Sequence, residues 1–185
     1  MKNLNINIVL IVSAFVMSCG NDHSNIMTVS KSTLVNKWEG QCEQVVNVDE
    51  NGFVSPTKTS TKSNIEFTDT NLILITQQYS NPSCEDEALS QWSFTVSYIS
   101  SPSDSKIEVE TGELVSISAK ISDAETVATY NTVKLCDQVW AVGSEINLSK
   151  CAMMIESAEL TNMKVLADIN SDTLTYAENK YSLIK

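Results

Sequence analysis

The side chains that could support catalysis in this chain of 185 residues are a single histidine, His23, together with its serines and carboxylates. His23 lies in a polar stretch near the N-terminus, 21–33, which lacks a strong hydrophobic period. A Ser-His-Asp or Cys-His arrangement in the body of the chain would therefore have no base. No GxSxG motif presents a nucleophilic serine either.

Paired carboxylates remain as a possible catalytic device of the glycosidase type. Glu85, Asp86 and Glu87 form a run beside Cys84, and Glu108 and Glu110 share one face of a predicted strand. Runs of this kind are usually solvated surface charge, and nothing in the sequence brings two of these groups together around a substrate. We therefore expect the protein not to be an enzyme.

The sequence also offers no convincing metal or cofactor site. Asn47-x-Asp49-x-Asn51-Gly52 imitates the start of a calcium loop, but Lys58 occupies the twelfth position, where a bidentate glutamate belongs. No two cysteines are as close as in a zinc-binding CxxC pair. Met153-Met154 is more typical of core packing than of soft-metal binding. We expect neither a metal nor a cofactor.

Four cysteines in the body of the chain predict two disulfides: Cys42, Cys84, Cys136 and Cys151. An even number of cysteines in an exported protein favours a disulfide framework, and three pairings are possible. We favour Cys42–Cys84 and Cys136–Cys151, because each bond would join neighbouring parts of a meandering chain.

The N-terminus predicts export and lipid attachment. Lys2 and the apolar run Ile6 to Met17 have the form of a signal peptide, since about 12 apolar residues are too few to span a bilayer. Val16-Met17-Ser18-Cys19 resembles the bacterial lipobox, although Met17 departs from the usual small residue. The resemblance implies cleavage of residues 1–18, diacylglycerol on Cys19, and a tether over 19–33. Gly20 resembles lipoproteins that are sent to an outer membrane, facing the periplasm or the cell surface.

Charge limits the partners of the domain that follows. The formal net charge is −11, and all twelve basic residues are lysines. A nucleic-acid-binding protein needs a basic face to replace phosphate counterions, so nucleic acid is excluded as a partner. The missing arginine also removes the planar fork suited to phosphate or carboxylate. Neutral, apolar or cationic ligands are left open.

Alternating apolar and polar residues predict that most of the chain folds as β-strands. Asn51-Gly52 is a hairpin-type turn signal, and the prolines at 56, 82 and 102 lie between the predicted strands. The strands are predicted at Trp38–Val48, Ser60–Thr68, Leu72–Tyr79, around Trp92, Phe94, Val96 and Tyr98, around Ile107 and Val109, and around Val115, Ile117, Ala119 and Ile121.

The second half of the chain is less regular. Ser122-Asp-Ala-Glu125 is a capping-box pattern that favours a helix through Lys134, whereas the threonine and valine content of 126–134 favours a strand. Weaker strands are predicted at Asp137–Val142, Ala152–Glu159, Lys164–Ile169, Thr173–Ala177 and Tyr181–Ile184. With no internal repeat and no second linker, residues 34–185 form one domain.

Several short motifs resemble the lipocalin-like (calycin) small lipoproteins of bacteria. Leu34-Val35-Asn36-Lys37-Trp38 is similar to their G-x-W entry motif, with Asn36 in place of glycine. The stretch 78–84 (QYSNPSC) is similar to their Y-x-D-x-x-C, and Asn131, Cys136, Trp140 and Gly143 resemble a later N-x(4)-C-x(3)-W-x(2)-G. No arginine can pack over Trp38 as in true lipocalins, so the likeness is a distant one.

The resemblance implies a mainly β fold, a single antiparallel up-and-down barrel of about eight strands with one or two short helices. It also implies that Trp38 plugs one end of the barrel and supports the Cys42–Cys84 pairing. Trp92, Phe94, Tyr98 and Trp140 are candidates for the interior, as core or as a ligand wall. We expect a non-catalytic module that binds a small hydrophobic or amphipathic ligand. The alternative is a filled barrel with a structural or protein-binding role in the envelope.

Overall fold

The computed structural model describes residues 31–48, 54–157 and 160–185. The predicted signal peptide, Cys19, His23 and the Asn51-Gly52 turn lie outside these residues. The strands are β1 (Lys37–Val48), β2 (Val54–Phe67), β3 (Asn71–Tyr79), β4 (Ser90–Ser103), β5 (Lys106–Ile121), β6 (Glu145–Asn147), β7 (Lys164–Asn170), β8 (Thr173–Tyr176) and β9 (Asn179–Leu183). The helices are α1 (Lys31–Leu34), α2 (Ala124–Val133) and α3 (Ala152–Ser157), with a 3₁₀ turn at Leu135–Asp137.

Eight of the strands close into an antiparallel barrel, which confirms the predicted fold class. β1 to β5 pair in chain order, β7 follows β5, and β8 and β9 lead back to β1. The ninth strand, β6, pairs only with the last part of β5, from Ser118 to Lys120. Where the strands pair all the way round, closure leaves no unpaired edge that could invite aggregation.

The wall of the barrel is complete at one end only. β1 pairs with β9 from Trp38 to Gly40 alone, and β5 pairs with β7 only from Ile107 to Glu110. Beyond these residues the longer strands β1 to β5 continue without β7, β8 and β9 beside them. We call the end near Trp38 the closed end, and the end where β3 stops and β4 begins the open end.

The closed end is filled by a core that includes Trp38. Its indole is buried and its Nε1 donates to the carbonyl oxygen of Leu34 in α1, at 3.3 Å, so the first helical turn covers the tryptophan. Phe67 packs edge-on against Tyr98 and Tyr176, with ring centroids 5.4 and 5.7 Å away. The other buried members are Leu34, Ile65, Leu72, Val96, Ile107, Val109, Ala167, Leu174 and Tyr181.

A second core lies toward the open end, where the segment after β5 covers one side of β4 and β5. We call this segment, residues 122–157, the cover. The buried members of the second core are Ile117, Ala119, Ile121, Val127, Leu135, Trp140, Leu148 and Met154. They come from β5, from α2 and α3, and from the turns between them. Among the residues that the structure describes, Leu114 is the one partly buried side chain that packs against both cores.

Two irregularities in β5 change which of its side chains face inward. Thr111, Leu114 and Ile117 are inward at intervals of three residues, and the β4–β5 register shifts at the matching positions. Each bulge moves the chain from one face to the other. The alternation that predicted this strand puts Val115 on the same face as Ile117, but the bulges turn Val115 outward, and its side chain is 53% exposed. Ile117, Ala119 and Ile121 are buried as predicted.

Two of the three prolines lie inside strands, contrary to the prediction. Pro56 is in β2 opposite Val46, and Pro102 is in β4 opposite Ile107. β3 pairs with β2 only from Ser60 onward and with β4 only up to Ser97, so each proline lies where its strand has one unpaired edge. A missing N–H is tolerated at such an edge.

In the segment 122–134, Ala124–Val133 form helix α2, which resolves the alternatives in favour of the capping signal. The capping residue is Asp123 rather than Ser122: Asp123 Oδ2 accepts from the Thr126 N–H at 2.7 Å. The hydroxyls of Thr129 and Thr132 donate to the carbonyls four residues earlier, which lets threonine sit within a helix. Lys134 ends the helix in the left-handed conformation, at φ 51°.

Two predicted strands are wrong. Residues 137–142 contain the end of the 3₁₀ turn and an irregular stretch in which Trp140 is buried and Val139 is 88% exposed. Ala152–Ser157 is α3 rather than a strand. Both segments are held by the second core and by a disulfide instead of by sheet pairing. The last three strands, β7 to β9, are confirmed with small shifts in their ends.

Candidate functional site

The four body cysteines form the two favoured disulfides. Cys42–Cys84 joins β1 to the loop after β3, and Cys136–Cys151 joins the 3₁₀ turn to the start of α3. The Cα–Cα distances are 5.9 and 5.2 Å, within the usual range. Two such bonds indicate that the chain matures in an oxidising compartment outside the cytoplasm.

The first disulfide helps fix the loop that connects β3 with β4. Ser60 in β2 is fully buried beneath this loop, with its hydroxyl bonded to the carbonyl oxygen of Asn81 and 3.1 Å from Cys84 Sγ. At the other end of the loop, the Leu89 N–H donates to the Gln78 carbonyl at 2.7 Å. The loop therefore packs on the outer face of the barrel at the open end.

The four candidate ligand-wall residues divide between the two cores. Tyr98 belongs to the closed-end core, where its hydroxyl donates to the Thr68 carbonyl oxygen at 2.7 Å. Burial, with a smaller contribution from the Asp69 charge, raises the pKa of Tyr98. Trp140 belongs to the second core and is 2% exposed. Both side chains are buried by the protein itself and are not accessible to a ligand.

Trp140 is fixed by hydrogen bonds at both its backbone and its ring. The Asn131 side chain accepts from the Trp140 N–H at 2.8 Å and donates to the Trp140 carbonyl at 2.9 Å. The indole Nε1 donates to the Leu135 carbonyl at 3.2 Å. Asn131 and Trp140, which only the family likeness had placed in one motif, are therefore joined by hydrogen bonds, together with Leu135 next to Cys136.

Trp92 and Phe94 lie on the inward face of β4 and are only half-buried. Trp92 is 6.5 Å from Trp140 between ring centroids, which places it at the border of the second core. On its other side, Thr76 of β3 is its direct cross-strand neighbour. These two aromatic residues are the candidates that remain for contact with a ligand at the open end.

Beyond Ile65 and Leu74, the inward face of β2 and β3 changes from apolar to polar toward the open end. On β2 the inward side chains run from Phe67 and Ile65 to Ser63 and Thr61, and on β3 they run from Leu72 and Leu74 to Thr76 and Gln78. We call Thr61, Ser63, Thr76 and Gln78 the polar strip. The sequence analysis did not identify the polar strip, although every second residue of β2 and β3 changes from apolar to polar along the strand.

One buried tyrosine lies close to the polar strip. Tyr181 of β9 is buried, and burial together with the Glu43 charge raises the pKa of Tyr181 to about 12. Its ring packs near Gly40, where an added Cβ would lie 3.3 Å from Tyr181 Cε1 and would overlap the Ser63 carbonyl oxygen. The neutral hydroxyl of Tyr181 is thus favoured in the folded protein.

The carboxylates considered in the sequence analysis either form ion pairs with a lysine or are exposed to solvent. Glu110 lies 2.9 Å and Glu108 4.0 Å from the Nζ of Lys164, which bridges β5 to β7. The hydrogen bond and charge of Glu110 raise the pKa of this exposed lysine. Glu85, Asp86 and Glu87 are exposed in the loop after β3. Within the described residues, no group of three histidine, cysteine, aspartate or glutamate side chains is arranged to hold a metal.

The remaining predictions concern the membrane and the family. In residues 31–48, 54–157 and 160–185, no helix has the length and apolar character to cross a bilayer. Cys19 and its neighbours lie outside those residues, so lipid attachment stays a prediction. Comparison with protein-family models and with curated proteins finds no match to this chain.

Proposed function

We propose that this protein is a lipid-anchored envelope lipoprotein whose barrel binds a small amphipathic ligand at its open end without catalysing a reaction. The observation that carries the proposal is the position of half-buried Trp92 between the second core and the polar strip. An aromatic face beside hydroxyl and amide groups suits a ligand with one apolar side and one hydrogen-bonding side.

The filled closed end restricts where such a ligand could bind. Trp38, Phe67 and Tyr98 occupy the interior there, and the barrel is packed by its own side chains. Toward the open end, inward-facing Ser63 and Thr76 are polar and half-buried. Polar groups on an inward face need hydrogen-bond partners, which water or a ligand can supply. The open end is therefore the part of the interior best suited to binding.

The proposed anchor gives the barrel an orientation. The described chain begins at α1, which covers Trp38 at the closed end. A tether from Cys19 would reach the barrel at this end, so the open end would face away from the bilayer. Acyl chains on Cys19 would hold the module stably only if there are two or more of them. The proposed location is the cell envelope, with the outer membrane preferred over the inner one.

A protein-binding role is the second candidate, and exposed apolar side chains favour it. Val139 and Val142 are 88% and 54% exposed in the segment that covers the second core, and Met153 in α3 is 50% exposed. Exposed apolar side chains in one covering segment are candidates for contact with another molecule. In this alternative the barrel interior is filled by side chains at the open end too, and the cover contacts a partner protein in the envelope.

Native mass spectrometry of the full oxidised chain, recovered from bacterial envelope in mild detergent, tests the proposal. We expect a noncovalent adduct that disappears on denaturation. Trp92→Ala should reduce the adduct because it removes the aromatic face. Ser93→Ala, on the opposite face of the same strand, should leave it unchanged. A bare mass, together with no uptake of a fluorescent fatty-acid probe by the delipidated protein, would refute ligand binding.

A further inference from the structure

A cleft of about 130 Å³ lies on the outer surface of the barrel, on the opposite face of the sheet from Trp92 and the polar strip. It is lined by Gln77, Glu87, Ala88, Gln91, Lys120 and Ser122. Gln77 and Gln91 alternate along their strands with Thr76 and Trp92, so their side chains point to the opposite face of the sheet. We call this the outer cleft.

Hydrogen bonds across three strands fix the direction of the glutamine side chains in the outer cleft. Gln77 Oε1 accepts from Asn64 Nδ2 at 3.4 Å and from the Tyr79 hydroxyl at 3.2 Å. Gln77 Nε2 is therefore the end that donates, and it bonds to Gln91 Oε1 at 3.1 Å. The oxygen of Gln91 is thereby occupied, and its Nε2 is the donor presented at the end of this ladder.

A lysine stands beside that donor. Lys120 is the direct cross-strand neighbour of Gln91 in β5, and its ammonium forms no ion pair within the described residues. Lys62, on the same outer face, is by contrast paired with Glu39. Gln91 Nε2 and Lys120 Nζ together provide N–H donors and a positive charge, which is the combination that binds a carboxylate.

The other side of the outer cleft presents a negative charge. Glu87 Oε1 accepts from the Ser122 hydroxyl at 3.4 Å, which directs this carboxylate toward the cleft. The backbone keeps the two segments together, since the Leu89 carbonyl accepts from the N–H groups of Ser122 and Asp123 at 2.8 and 3.2 Å. Glu87 makes no ion pair with Lys120 or with any other described lysine.

We propose that the outer cleft binds a small zwitterion, the α-ammonium and α-carboxylate head of an amino acid. The carboxylate contacts Lys120 and Gln91, and the ammonium contacts Glu87. The size is consistent with this class, because a cavity of about 150 Å³ holds benzene, with about six heavy atoms. Alanine also has about that number. The site is independent of ligand binding at the open end.

The test is a titration of the full oxidised chain with alanine, followed by ¹H–¹⁵N NMR of the glutamine side-chain amides. We expect a saturable shift of the Gln91 amide pair, with much smaller shifts from acetate or methylamine at the same concentration. Lys120→Met and Glu87→Gln should each weaken alanine binding about tenfold or more, because each removes a charge-assisted contact. Lys134→Met and Glu85→Gln, which change the same charges outside the cleft, should leave it unchanged.

Three results would overturn the proposal. The first is the absence of a saturable shift with alanine. The second is an equal response to acetate, which would make the cleft an anion site only. The third is unchanged alanine binding in Lys120→Met with its fold intact by circular dichroism. Trp92→Ala should bind alanine normally, which separates this proposal from the one about the open end.

Discussion

Asn131→Ala is expected to destabilise the protein, because Asn131 makes two hydrogen bonds to the backbone of Trp140. Its side chain bonds both the N–H and the carbonyl of that buried residue, at 2.8 and 2.9 Å. Each neutral bond contributes roughly 1 kcal/mol, so the free energy of unfolding should fall by about 2 kcal/mol. For a chain of this length, that corresponds to a Tm lower by about 4–8 °C.

The assay is urea unfolding of the oxidised protein, followed by tryptophan fluorescence. Thr132→Ala is the matched control on the same helix: Thr132 bonds only to the Ala128 carbonyl, and alanine is the better helix former. We expect this control to be neutral or slightly stabilising. If Asn131→Ala lowers the free energy of unfolding by less than about 0.5 kcal/mol, as ordinary surface substitutions do, the reasoning is refuted. Water would then replace the two hydrogen bonds of Asn131 without cost.

Asn131→Asp should destabilise the protein to an extent that depends on pH. The new carboxyl keeps an acceptor for the Trp140 N–H but turns a second oxygen toward the Trp140 carbonyl. This repulsion should raise the pKa of the carboxyl in the folded state above its unfolded value of about 3.9. The extra destabilisation is then absent below the unfolded pKa, where both states are protonated, and grows as the pH rises through the folded pKa. A difference from wild type that stays constant between pH 7 and pH 4 would contradict the reasoning.

Two further predictions concern the barrel interior. Gly40→Ala should lower the free energy of unfolding by about 1–3 kcal/mol in urea unfolding, since its Cβ would overlap the Ser63 backbone carbonyl. The added Cβ of Gly112→Ala would meet a side-chain atom, Ser97 Oγ, at 2.6 Å, and Ser97 Oγ accepts from the Glu113 N–H at 2.9 Å. Because a side chain can rotate at the cost of one hydrogen bond, whereas a strand carbonyl cannot, this substitution should cost less than Gly40→Ala, and equal losses would refute the steric argument. Tyr181 should ionise near pH 12 in absorbance titration; because its folded pKa is raised, stability falls as the pH rises above about 10. Tyr181→Phe should reduce this alkaline loss, and an unchanged loss would contradict the prediction.

The strands were predictable from the sequence where side chains alternate without interruption. The run from Trp92 to Tyr98 in β4 and the inward Ile117, Ala119 and Ile121 of β5 are examples. Val115 was misplaced because the bulges around Leu114 reverse the alternation twice, and no local residue type announces them. Both disulfide pairings were also confirmed, since each joins parts of the chain that are close in the meander.

The fold of the cover could not be predicted from the alternation of apolar and polar residues. Residues 137–142 contain apolar residues at strand-like spacing, but only Trp140 is buried, and its place depends on Asn131 nine residues earlier. The polar strip and the outer cleft depend on the registers of β2, β3, β4 and β5. Composition and periodicity specify which face a residue occupies along its own strand. They do not specify which residue of the next strand stands beside it.

The two cores have a consequence for the cooperativity of unfolding. They meet at Leu114, and β5 is the strand that contributes buried side chains to both of them. β5 is paired with β4 along one edge throughout. On its other edge, β7 pairs with Ile107–Glu110 of the closed barrel, whereas the last part of β5 has only the three residues of β6 beside it. We therefore expect residues 122–157, which cover the second core, to open at a lower free energy than the whole barrel. Such sub-global opening would expose the inward face of β4 while Trp38 stays enclosed.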